Sequence, residues 1–321
     1  MAKSTSKKNP IELEDLVTTS GSATLELDDL LDDSDDSIVL ESDVEAEEPE
    51  IEVEIKTTTK TSKATKKVTS TKPEICEFIT DVAENIEHLT WLLYGKNGTG
   101  KTTIGGTADG ALILAAEDGT LSIRNSKNNI KKLPIDVWDK VEQAYWLLKN
   151  GVVTSDGIKI HVKGGTFLVK TLVIDTITRL IQICLRSVVL GEAAKDPEKD
   201  VVSPTLRDWG TMSQKLAYWL MQFDELPVQK VWLMQETTST DPTEDEVDIT
   251  VDANKAMRNM LLSQADIIGR TCLIKHDGQT KFAVKFAPNT NFVTKDRTGV
   301  LGKTFVNPNL DNLYSRVFKE A

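Results

Sequence analysis

One stretch constrains this chain more than any other: Thr90-Trp91-Leu92-Leu93-Tyr94-Gly95-Lys96-Asn97-Gly98-Thr99-Gly100-Lys101-Thr102-Thr103. A short apolar run leads into a glycine-rich loop, and Lys-Thr-Thr opens a predicted helix. The spacing is G-x-x-x-x-G-K-[ST], in the strand–loop–helix setting that this pattern requires. Glycines let backbone N–H groups turn inward around an anion, where a Cβ would obstruct them. The helix N-terminus adds partial positive charge at the same point. The ligand such a loop suits is a nucleotide, with Mg²⁺ as the expected metal. Gly95 to Thr103 form the candidate binding set, with Lys101 reaching the β- and γ-phosphates and the Thr102 hydroxyl ligating the metal.

The chain differs sharply on the two sides of this loop. Residues 1–72 lack aromatic side chains and are dominated by Asp, Glu, Ser, Thr and Lys. Eighteen carboxylates against nine lysines there account for about −9 of the chain's formal charge of −12. Such a segment cannot bury enough apolar surface to offset its ordering entropy, and is expected to be a disordered tail. The remaining body, residues 73–321, is near neutral and long enough for one large α/β domain. Cys76, Cys184 and Cys272 are widely separated, with no Cys-x-x-Cys pair or His cluster, so neither a disulfide framework nor a zinc site is expected. No signal-peptide core and no membrane-length apolar run is visible, which predicts a cytoplasmic protein without membrane association.

Along the body, residues 74–88 carry apolar side chains at helical spacing after Pro73 and read as an amphipathic edge helix. A short helix is expected over 102–108. Ala111 to Ala116 is a continuous apolar run, suited to a strand buried on both faces, and it ends in Glu117-Asp118-Gly119. Carboxylates at that edge of a parallel sheet, beside a phosphate loop, lie where nucleotide chemistry occurs. A helix over 136–150 and a β-hairpin within 152–167 come next. Lys170-Thr-Leu-Val-Ile-Asp175-Thr176 is an apolar strand ending in Asp, the second hallmark of phosphate-loop enzymes. There Asp175 would hold Mg²⁺; its alternative role is a helix N-cap. Helices are expected at 177–191, 209–226 and 254–265. The stripe Leu216, Trp219, Leu220 and Phe223 reads as core. A strand over 228–237 ends in Gln235-Glu236-Thr237, residues 238–251 read as a mobile acidic loop, and a hairpin turns at His276-Asp277-Gly278. Lys295 and Arg297, two residues apart, project the same way if extended; alone they read as a solvated turn.

The assembled order resembles the RecA-like core ATPases, nearest the phage nucleotide-binding proteins of the Sak-type single-strand annealing group, over about residues 88–312. Asp208-Trp-Gly, Ala265-Asp-Ile-Ile-Gly-Arg270 and Lys295-Asp-Arg-Thr-Gly299 look like that group's pattern. The resemblance implies a RecA-like P-loop NTPase core that hydrolyses ATP with Mg²⁺: a mostly parallel central sheet flanked by helices, with a C-terminal β-hairpin. It implies that Glu117 is the catalytic base, with Asp118 as a neighbour that could swap roles with it, and that Gln235 senses the γ-phosphate. Many phage members carry His-Glu where this chain has Gln235-Glu236. Lys295 and Arg297 would reach the γ-phosphate of the adjoining subunit, which implies a ring or filament. Single-stranded DNA is the implied partner, with a single-strand DNA-binding or replication protein as a further one.

Two rival expectations share the same core: a helicase-like ring motor, and a nucleotide-switched scaffold that hydrolyses little. The body shows no basic stripe with interleaved aromatics. Lys127, Lys131, Lys132 and the loops after Asp196 and Thr237 are the candidate nucleic-acid contacts.

Overall fold

The computed structural model describes residues 88–240 and 247–320. The tail over 1–72, the helix expected at 74–88 (bar His88) and residues 241–246 of the acidic segment lie outside the described residues.

The first strand, β1 (Thr90–Gly95), is buried at all six positions. Its side chains alternate between two cores, Trp91 and Leu93 in one and Leu92 and Tyr94 in the other. This explains why it reads as an unbroken apolar run rather than an alternating one. Helix α1 (Lys101–Gly105) is only five residues long, and β2 (Ala111–Ala115) comes after it with every residue buried. A 3-10 turn (Gly119–Ile123) leads to β3 (Ile130–Pro134) and α2 (Asp139–Lys149). Three short strands, β4 (Val152–Thr154), β5 (Gly157–Val162) and β6 (Gly165–Val169), form a separate antiparallel sheet. The hairpin expected at 152–167 is thus a three-stranded meander.

Then come β7 (Thr171–Asp175), α3 (Ile177–Ala193), α4 (Leu206–Asp224) and β8 (Gln229–Thr240). The chain continues through β9 (Val247–Val251), α5 (Lys255–Gln264), β10 (Ile267–His276) and β11 (Gln279–Lys285). It ends with β12 (Lys295–Asp296), β13 (Thr304–Val306) and α6 (Leu310–Glu320). The large sheet runs β13-β11-β10-β1-β8-β7-β2-β3, with β12 paired to β10 and β9 to β8. The six strands from β10 to β3 are mutually parallel; β11 is antiparallel to β10, and β13 pairs antiparallel with β11. One face is covered by side chains of α2, α3, α4 and α5; the other packs against α1 and α6 through Ile104, Leu310, Leu313 and Val317. The stripe on α4 is core as expected at Leu216, Leu220 and Phe223, with Trp219 half-buried against the ring of Tyr145.

Two expectations are corrected. Residues 238–251 are not simply a loop: β8 runs on to Thr240, and β9 pairs back on it from Glu236↔Val251 outward. Helix α2 starts at Asp139 rather than Asp136. Strand β3 is hidden in the sequence because edge strands tolerate Lys and Pro, and Ile130-Lys131-Lys132-Leu133-Pro134 carries both. Among the described residues no helix is long and apolar enough to cross a membrane.

Candidate active site

Four neighbouring parallel strands, β2, β7, β8 and β1, present their C-terminal ends side by side, which is where open α/β sheets bind ligands. The register brings the polar residues level: Ala115 pairs with Asp175, and Gly95 with Gln235. Glu117 lies just past β2, its N–H and that of Ala116 donating to the Asp175 carbonyl at 3.2 and 2.7 Å.

The loop after β1 has the form that its glycines require. Gly98 and Gly100 have φ of 76° and 86°, values open to glycine and strained for other residues. A Cβ on Gly95 would lie 2.2 Å from the Thr271 hydroxyl oxygen and 2.5 Å from its carbonyl, so β10 also fixes that position as glycine. Thr99 is buried below the loop, its hydroxyl 2.8 Å from that of Thr271, whereas the Lys96 and Asn97 side chains are exposed. The cavity in front of the loop measures about 300 Å³ and is lined by Asn97, Gly98, Gly100, Lys101, Thr102 and Thr103 of the predicted set. Glu117, Asp175, Thr176 and Gln235 line it as well, and so do Gly119, Ser122 and Phe282.

Lys101 is buried, and its ammonium donates to the Gly95 carbonyl at 2.7 Å, the Lys96 carbonyl at 2.9 Å and Gln235 Oε1 at 3.0 Å. Burial holds its pKa below the usual lysine value, while Asp175, Glu117 and Glu236 pull it upward. The Thr102 hydroxyl donates to Asp175 Oδ2 at 2.7 Å. Burial raises the Asp175 carboxyl above the usual aspartate range, opposed by the Thr102 hydrogen bond and reinforced by Glu117. Glu117 Oε1 accepts a 2.6 Å hydrogen bond from the Thr176 hydroxyl. Thr176 in turn is the N-cap of α3, accepting from the Arg179 N–H at 3.2 Å. The N-cap role considered for Asp175 therefore falls to Thr176. The sequence motifs do not single out Thr176 as a site residue; a Thr just before a predicted helix is the signal that is present.

Asp118 does not share the cavity. It is exposed and paired with Lys132 at 2.9 Å. Lys295 and Arg297 are also elsewhere. Lys295 donates to the carbonyls of Leu262 and Ser263, both at 3.0 Å, and Arg297 to Ser263 O at 3.1 Å and Asp266 Oδ1 at 2.7 Å. Both cations sit on the C-terminal end of α5, a favourable place for positive charge. Asp266 also accepts from the Thr90 N–H at 2.9 Å, so this cluster flanks the start of β1 while the phosphate loop leaves from its end. Six residues of strand, about 17 Å, separate the two.

The site fits a magnesium nucleotide. The Lys101 donors rest on carbonyls and an amide within the cavity wall, where phosphate oxygens can replace them. Thr102 and Asp175 offer the oxygen donors that a hard cation prefers. Among the described residues no group of three His, Cys, Asp or Glu side chains that could hold a metal ion is found.

A glycine loop feeding a helix, flanked by strand ends bearing Glu117, Asp175 and Gln235, defines a P-loop ATPase domain. The family model described as AAA domain matches residues 87–298, and the chain belongs to that family. No curated protein matches the chain. Similar solved structures include the flagellar accessory protein FlaH from Methanocaldococcus jannaschii, at 11% identity and a TM-score of 0.32. That match covers 61% of this chain and 76% of FlaH. The KaiC-like protein PH0186 from Pyrococcus horikoshii OT3 matches at 16% identity and a TM-score of 0.34, covering 69% of this chain and 90% of that one.

Proposed function

We propose that this chain is a Mg²⁺-dependent ATPase that acts on single-stranded DNA in phage-type recombination, annealing or replication, as a head-to-tail oligomer. The observation that carries the hydrolytic part is the Glu117–Thr176 contact. A carboxylate fixed at 2.6 Å by a hydroxyl, at the mouth of a phosphate cradle, is held to orient water and take its proton. Lys101 would exchange its carbonyl partners for phosphate oxygens, and Thr102 with Asp175 would hold the metal. Bound Mg²⁺ supplies charge neutralisation on the phosphates. Gln235, bonded to Lys101 and continuing directly into the β8–β9 ribbon, would report phosphate occupancy to that ribbon, a reading its contact with Lys101 supports. Single-stranded DNA is the partner suggested by the resemblance in Asp208-Trp-Gly, Ala265 to Arg270 and Lys295 to Gly299.

The test is steady-state ATP turnover with and without single-stranded DNA, at low and raised salt. Turnover is expected to rise with DNA, and the rise to fade as salt screens the phosphate contacts. DNA-independent turnover with no salt-sensitive binding would sink the DNA assignment and leave the ATPase standing.

A further inference from the structure

We infer that Phe282 is the platform on which the nucleotide base stacks. This rests on the ATPase reading above and adds the half of the site that the phosphate-binding residues leave undefined. The cavity is chemically lopsided. Glu117 just past β2, Asp175 on β7 and Gln235 on β8 all lie on one side of β1, so the reacting end of a triphosphate lies there. The remainder of the molecule must leave across the loop toward the other side of β1, where β10 and β11 lie. Phe282, on β11 two strands beyond β1, is the aromatic side chain that lines the cavity on that side.

The ring is held firmly and close. Three of its carbons would lie 2.6–3.0 Å from a Cβ on Gly100, so the loop and the ring share a contact that only glycine permits. Strand β11 is hydrogen-bonded to β10 on one side and β13 on the other, and the Asn307 N–H donates to the Phe282 carbonyl at 2.7 Å. The Thr271 hydroxyl, one strand nearer, donates to the Tyr94 carbonyl at 3.1 Å and touches Thr99. The platform and the phosphate loop are thus one rigid unit. Phe282 remains half-buried, with surface left for a ligand. A phenyl ring reads the π-face that every base has, so its part is affinity and positioning rather than hydrogen-bonded base selection.

Calorimetric titration of the full chain with Mg²⁺ and either ATP or inorganic tripolyphosphate separates stacking from propping of the loop. Phe282→Leu keeps an apolar contact on Gly100 and removes the π-face. It is expected to weaken ATP about tenfold and tripolyphosphate less than twofold, while Phe282→Tyr retains wild-type ATP affinity. Wild-type protein is expected to bind ATP at least tenfold more tightly than tripolyphosphate. Equal losses for both ligands in Phe282→Leu would make the ring a mere support, and unchanged ATP affinity would remove it from the site; either overturns the inference. Tight tripolyphosphate binding with no preference for ATP would also overturn it while leaving the phosphate site intact. Failure of the wild-type chain to bind either ligand would instead remove the ATPase reading, and this inference with it.

Discussion

Asp175 and Lys101 show what the site asks of individual residues. Each is buried, and burial opposes the charged form of each, raising the carboxyl pKa and lowering that of the ammonium. For Asp175, the stability associated with the raised value is present below the ordinary aspartate pKa and is lost as pH rises through the native value. For Lys101, it is present above the ordinary lysine pKa and is lost as pH falls through the native value. The charged form of each group is therefore held at the expense of the fold, as functional groups often are. Asp175→Asn keeps an acceptor for the Thr102 hydroxyl and removes one of these charges. It is expected to raise the melting temperature of the nucleotide-free protein by about 2–4 °C, the equivalent of ~1 kcal/mol in a domain of this size. The further upward shift on adding Mg²⁺ with ATP should disappear. In the wild type, KM for Mg²⁺-ATP should climb as pH falls, beginning above the usual carboxylate range because the raised Asp175 takes up its proton early. Thermal melts and pH-dependent turnover check both points; a lower melting temperature in the variant would overturn the burial argument.

Among the elements, β8 and β10 are joined by an ion pair across β1. Glu236, next to Gln235, accepts from Arg270 at 2.9 and 3.2 Å, and the pair spans β1 just where the loop begins. The Glu236 side chain is 3% exposed, and Arg270 also stacks over Phe292 at 5.2 Å. Removing one partner of such a pair leaves a buried charge uncompensated. Arg270→Ala should therefore cost about 3 kcal/mol, lowering the melting temperature by roughly 6–12 °C. The double variant Glu236→Leu, Arg270→Met should recover most of that loss, because no lone charge remains. Chemical denaturation of the three proteins decides; equal losses in single and double variants would make packing, not charge, the cause.

The same region shows what is legible in the sequence and what is concealed there. The strands β1, β2, β7 and β8 are legible because burial on both faces writes an unbroken apolar run. Lys101, Thr102, Glu117, Asp175 and Gln235 are legible because each stands at a fixed offset from such a run. Thr176 and Phe282 are not. Their roles depend on register, Thr176 reaching back to a carboxylate 59 residues earlier and Phe282 meeting Gly100 across two strands. The β8–β9 ribbon is obscured because acidic, Thr-rich composition reads as loop when the pairing partner is unknown.

At the scale of the whole molecule, Lys295 and Arg297 cannot serve their own subunit's phosphate loop, since a full strand length separates them from it. A head-to-tail contact removes the difficulty by bringing the edge at the start of β1 in one copy to the edge at its end in the next. Such an interface is heterologous and propagates into a ring or filament. The cations would first have to leave Asp266 and the last carbonyls of α5. Arg297 is 54% exposed at its 2.7 Å pair with Asp266, and pairs this open contribute only about 0–1 kcal/mol. Exchange for a phosphate therefore meets little opposition. The arrangement makes a prediction that a self-contained site does not. Arg297→Ala and Lys101→Ala should each abolish turnover, reducing it at least a hundredfold. Mixed at equal ratio and allowed to exchange subunits, they should recover up to about a quarter of wild-type activity, since one pairing in four joins an intact loop to an intact arginine. The recovery should track the mixing ratio and peak at equality. If turnover stays at the level of the separate variants at every ratio, Arg297 is confined to capping α5 in its own subunit, and the shared site is wrong.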